Sequence, residues 1–167
     1  MRKRTPISGT IIGGVLANGK DIDTGSNTVA IVLHDKTLCT GTIVADNLIL
    51  TAGHCFDGID TNETSPGNVI FANNYNSTNS ATISCWQRPS AYSPKSGDDS
   101  YNTVLNYIAW IKINGTVKSN YEIVSVLSNP QSILPSETKW MIGFGDLTNE
   151  NDHNSSKNVV KSTSSDT

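Results

Sequence analysis

Apolar residues in this chain fall into short runs separated by turn residues, and no stretch keeps a helical period. The runs are NTVAIVL (27–33), LCTGTIV (38–44), LILTA (48–52), NVIFA (68–72), ATISCW (81–86), YIAWIKI (107–113), KWMIGFG (139–145) and NVVKST (158–163). Short, evenly spaced β-prone segments of this kind predict an all-β sandwich or barrel. Only Ala45, Asp46 and Asn47 separate the second and third runs, which predicts a tight hairpin. Residues 74–80 and 89–103 read as exposed loops, the second long enough to expect a function or mobility. Residues 114–137 read as a connector with one apolar piece at 123–127, and the polar tail as frayed.

Composition supports the pattern. The chain has 167 residues, 36% hydrophobic and only 16% charged, with many Ser, Thr and Asn. A hydroxyl- and amide-rich surface on β-prone segments fits a loop-rich β protein of one domain or two small ones. The formal net charge is −3, and the only basic run is the opening MRKR, so neither nucleic acid nor an anionic membrane is expected as a partner. No apolar run approaches the ~20 residues needed to span a bilayer. MRKR could begin a signal peptide, but TPISGT follows it where an apolar segment should be.

The three cysteines are too few for a disulfide scaffold, yet one bridge would imply an oxidising compartment. Cys39 and Cys55 enclose fifteen residues that include the hairpin, so the chain's return could bring them within bridging distance. Two separate buried thiols are the alternative on these grounds. Cys85 has no evident mate. The histidines His34, His54 and His153 and the cysteines show no C-x-x-C, H-x-x-x-H or C-x-x-H spacing, so neither a metal nor another cofactor is expected.

A lone histidine at a strand end is usually structural. His54 stands apart because of its surroundings, the string CTGTIVADNLILTAGHC (39–55). Ala52 and Gly53 allow a sharp backbone turn before it, and a bridge through Cys55 would clamp it. A general base must be held within hydrogen-bond reach of its partner, and a stapled corner meets that need.

With IIGG (11–14), YIAWIKI (107–113) and MIGFGDLT (141–148), this string resembles the chymotrypsin/trypsin-like serine protease family, in order and in approximate spacing. CTGT…LTAGHC is the specific block, similar to secreted bacterial members, and the likeness runs from Ile11 onward. The resemblance implies a trypsin-like antiparallel β-barrel, a Cys39–Cys55 disulfide, and His54 as general base of a Ser-His-Asp triad. It also implies serine endopeptidase activity on protein or peptide substrates, and a secreted or periplasmic location. The division expected from it is a leader or pro-segment at 1–10, a first barrel at 11–113, the connector at 114–137, and the opening strands of an incomplete second barrel at 138–167.

Three departures qualify that expectation. The family places its triad aspartate just before the I-A-L of an N-D-I-A-L string, where this chain reads Asn106-Tyr107-Ile108-Ala109-Trp110. A tyrosine hydroxyl with an ordinary pKa near 10 is a poor substitute for a buried carboxylate. Asp98 and Asp99, just upstream, are the candidates to reach His54 in its place. Second, the sequence has no G-D-S-G-G or G-x-S-x-G string, so no nucleophilic serine or oxyanion hole is written in it. Third, Thr10 rather than Lys or Arg precedes Ile11, so a trypsin-like activating cut is not written there either.

Two readings follow from the resemblance. One is a trypsin-like endopeptidase domain truncated before its serine and inactive as an isolated chain. The other is a pseudo-protease kept as a protein-binding or scaffold module. A minor third has a separate chain supply the serine, with Cys85 as an interchain thiol. The N-x-[ST] strings at Asn62, Asn76, Asn114 and Asn154 fit chance in so Asn/Ser/Thr-rich a sequence.

Overall fold

The computed structural model describes residues 15–16, 26–92, 107–126, 138–144 and 158–163. Nine strands form among them: β1 (Val15–Leu16), β2 (Thr28–Leu33), β3 (Leu38–Ala45), β4 (Leu48–Ala52), β5 (Gly67–Ile70), β6 (Ser80–Gln87), β7 (Ile108–Ile113), β8 (Thr138–Gly143) and β9 (Asn158–Thr163). The eight runs read from the sequence correspond to β2–β9, with ends that shift by a residue or two. A two-residue strand carries no periodicity to read, and β1 went unforeseen. It pairs with β9, outside the barrel, although the division implied by the resemblance groups it with 11–113.

Strands β2, β3, β4, β7, β6 and β5 pair in that order, and β5 returns to β2. All these pairings are antiparallel. Closure removes the unpaired edges that an open sheet would expose. The second sheet, β1-β9-β8, is open. Among the described residues the fold is thus all-β, with one closed six-stranded antiparallel barrel.

Alternation decides which side chains fill the barrel. Along β3 and β4, Cys39, Gly41, Ile43, Ile49 and Thr51 point in. With Val29, Ile31, Val69, Ile83 and Ile111 they form a core whose isoleucines and valines are fully buried. Strand β2 breaks the alternation and is buried on both faces, because Phe144 after β8 packs with Ala30 and Ile70 on the barrel's outer side. The Phe144 amide donates to Thr40 Oγ1 at 3.0 Å and fixes that contact. Residues 114–126 run along the barrel without forming a strand. The amides of Val117, Glu122 and Val124 donate to the carbonyls of Asp46, Ser26 and Ile43.

Gly67 opens β5 where two backbones nearly touch. A Cβ there would lie 2.7 Å from the Leu33 Cα and 3.0 Å from the Val32 carbonyl carbon, atoms that cannot rotate away. Gly67→Ala is expected to cost about 1–3 kcal/mol, the usual range for overpacking. Urea unfolding should show the midpoint falling with an unchanged slope.

Candidate active site

Two strands and one turn build the site. β4 ends at Ala52, and the chain drops into a four-residue 3-10 turn, Gly53–Phe56, that carries His54. β7 runs antiparallel to β4 with Ala52 opposite Ile108, so Tyr107, just before β7, lies beside the turn. The Gly53 amide donates to the Tyr107 carbonyl at 2.9 Å and closes this corner. Phe56, at the end of the turn, is fully buried and stacks on Trp86 with ring centroids 4.4 Å apart.

Cys39 and Cys55 are joined in a disulfide, with Cα atoms 6.3 Å apart. The bridge ties the residue after His54 to β3. The Thr51 hydroxyl, 3.6 Å from the Cys55 sulfur, donates to the Thr40 carbonyl at 2.9 Å, so the buried strand ends beneath the turn are also joined. Cys39, His54 and Cys55 place their possible ligand atoms within 4.8 Å of one another. Both sulfurs are bonded to each other, which leaves a single imidazole donor.

Tyr107 lies against His54. Its hydroxyl is hydrogen-bonded to His54 Nδ1, and the two rings stack with centroids 5.0 Å apart and planes 25° apart. Burial lowers the His54 pKa below 6.5, opposed by the nearby Asp57 carboxylate. Burial, and then the same carboxylate, raise the Tyr107 pKa above 10, so the phenol is neutral at physiological pH.

Three further side chains surround this pair, none of them singled out in the sequence. Asp57 follows the turn, Arg88 follows β6, and Tyr92 lies four residues beyond Arg88. Arg88 Nη1 donates to Asp57 Oδ1 at 2.7 Å and to the Gly53 carbonyl at 3.4 Å. The Tyr92 hydroxyl lies 3.0 and 3.1 Å from the two Asp57 oxygens. Asp57 three residues after His54 was the one available signal, and an aspartate next to a glycine reads more naturally as a turn.

The other sequence candidates lie elsewhere. His34 sits on an exposed turn with Nδ1 3.3 Å from Glu63 Oε1. Cys85 is a free, half-buried thiol on β6. Asp98, Asp99, His153 and the segment around Thr10 and Ile11 fall outside the described residues.

Comparison with known proteins agrees with this architecture. A structure of the scabies mite inactivated protease paralogue S-D1 superposes with a TM-score of 0.73 at 19% identity, over 92% of this chain and 62% of that one. The protein named GrC gives 0.68 at 19% identity, over 90% of this chain and 64% of its own. The Vibrio cholerae VesB protease gives 0.66 at 20% identity, over 90% of this chain and 43% of its own. This chain therefore spans less than two thirds of each of these structures, and the likeness at such identities is one of fold. A search of curated proteins finds no match to this sequence. The sequence profile of the trypsin family matches residues 16–167, nearly the whole length. On that match, and with a closed antiparallel barrel to carry it, this chain belongs to the trypsin family.

Proposed function

We propose that this chain carries the general-base part of a trypsin-like serine endopeptidase site, with His54 as the base and Tyr107 in the position of the triad acid. The observation that carries this reading is the Tyr107 hydroxyl on His54 Nδ1. In the family's mechanism the buried acid accepts from Nδ1–H, which leaves Nε2 bare to take the serine proton, and its charge stabilises the imidazolium that forms.

A neutral phenol reverses the first of these roles and lacks the second. It is the stronger hydrogen-bond donor of the pair, and an imidazole nitrogen is a good acceptor, so Tyr107 donates to Nδ1. The ring proton of neutral His54 then sits on Nε2, the nitrogen that has to be free. Acid titration adds a proton at Nδ1 and still leaves Nε2 occupied. His54 keeps the position of a base while its tautomer, and the lack of a charge on the group at Nδ1, oppose the proton transfer.

The residues of this chain contain no G-D-S-G-G string, so a nucleophile and oxyanion amides would come from outside them. On this reading the isolated chain does not hydrolyse peptide bonds, and its substrates in a completed form are proteins or peptides. The disulfide favours a secreted or periplasmic location. No helix among the described residues is long and apolar enough to cross a membrane.

A serine-directed fluorophosphonate probe tests the proposal. Incubation of the purified chain with the probe is expected to give no covalent adduct by intact mass. Stoichiometric labelling would show an activated serine and overturn it.

A further inference from the structure

The turn that carries His54 is too short to hold itself. It has four residues and no side-chain hydrogen bond at its N-terminal cap. Its support comes from other elements, and each peptide group flanking His54 is tied. The Gly53 amide is held by the Tyr107 carbonyl, and the His54 carbonyl accepts from the Asp57 amide at 3.0 Å. The Gly53 carbonyl and the Asp57 carboxylate are both bonded to the same Arg88 nitrogen.

We propose that Arg88, Asp57 and Tyr92 form a brace that positions the His54 imidazole against Tyr107, a role that rests on the reading of His54 as the base. Arg88 spans the turn from its first residue to the residue after its last. Its planar guanidinium is suited to that span because one rigid group can serve two acceptors. Tyr92 holds the third corner. Its ring lies where a side chain on residue 53 would be: a Cβ on Gly53 would come within 2.6 Å of Tyr92 Cε2. The glycine of A-G-H-C therefore makes room for this ring as well as for the bend. The Arg88 guanidinium lies over the Tyr92 ring, its Cζ 4.3 Å from that centroid and 5.7 Å from that of Trp86.

The charges agree with the geometry. The groups that act on His54 are Tyr107, just before β7, and Asp57, just after the turn, and Arg88 and Tyr92 are both bonded to Asp57. Burial and the bond to Asp57 push the Tyr92 pKa up to about 12. Tyr92 therefore remains a donor to Asp57 across the whole range in which His54 titrates. The Asp57 carboxylate beside His54 favours the imidazolium, against burial.

The test is a pH titration of the His54 ring by ¹⁵N and ¹³C NMR on the full chain, in wild type and in Asp57→Asn, Tyr92→Phe, Arg88→Met and Arg88→Lys. Asp57→Asn is expected to lower the His54 pKa. Tyr92→Phe keeps the ring on Gly53 and loses only the hydroxyl, so it should fold and yet move the His54 ring signals. Arg88→Met should move them further, and Arg88→Lys should return them part of the way by restoring the contact with Asp57. Ring signals and pKa that match wild type in Asp57→Asn and Tyr92→Phe would overturn the brace, even with a lower Tm, because that combination describes a structural role alone. The readout is the imidazole rather than hydrolysis or probe labelling, so the brace and the proposed function can fail separately.

Discussion

Replacing Tyr107 by aspartate is expected to move the ring proton of neutral His54 from Nε2 to Nδ1 and to raise the pKa of the imidazole. A carboxylate at this position can only accept, so it draws the proton to Nδ1, and its charge favours the imidazolium. The ¹⁵N shifts of the two ring nitrogens report the exchange directly: in wild type Nδ1 is the bare nitrogen, and in Tyr107→Asp it is Nε2. An unchanged pattern would remove the claim that Tyr107 sets the tautomer.

Stability follows the same linkage. Wild-type His54 has its pKa lowered by folding, so the fold favours the neutral ring. That preference destabilises the native state as pH falls below 6.5, the range in which the unfolded chain takes up the proton more readily. Tyr107→Asp is expected to reduce this acid penalty, visible as a smaller loss of Tm between neutral and mildly acidic pH. In a form of the protein that includes a serine nucleophile, the same change should raise turnover of a peptide amide. The ceiling is about 10⁴-fold, the factor by which a related protease falls when its acid is neutralised.

Breaking the Cys39–Cys55 bridge is expected to cost about 3 kcal/mol, the chain-entropy value for a loop of this length. The sequence separation of the two cysteines is 16 residues. For a protein of this size such a loss lowers Tm by roughly 6–12 °C. The double variant Cys39→Ala/Cys55→Ala, or reduction of the wild type, should show it by calorimetry. Both residues lie in the barrel core, so the variant also loses packing, whereas reduction keeps both sulfurs in place. A shift on reduction therefore isolates the constraint. A Tm unchanged by complete reduction would mean that the barrel alone holds the His54 corner.

The barrel was legible because its strands announce themselves locally. β3, β4 and β7 are short apolar, β-prone runs bounded by turn residues, which marks them as strands, while the alternation of buried and less buried positions along them follows from the barrel. Strand β2 is apolar on both faces, and no local pattern says what covers the second. Phe144, more than a hundred residues away, supplies the cover. The two-residue β1 is a strand only because β9 lies beside it.

The site divides in the same way. His54, Cys39, Cys55 and Tyr107 could be named from the chain because each sits in or beside a strand with a recognisable string. Arg88, Asp57 and Tyr92 could not. Their residue types are those of an ordinary turn and loop, and their 31- and 35-residue separations carry no period.

The all-β class, the strand segments and the residues at the histidine corner are written in the chain, since these depend on side-chain type and on short apolar runs broken by turn residues. Tertiary structure decided which groups meet there. The antiparallel pairing of β4 with β7 sets Tyr107 against Nδ1 of His54, and the approach of the chain after β6 sets Arg88 and Tyr92 around Asp57. A proton's position on an imidazole depends on what lies within about 3 Å of each nitrogen. Only the closed barrel fixes that distance between residues so far apart in the chain.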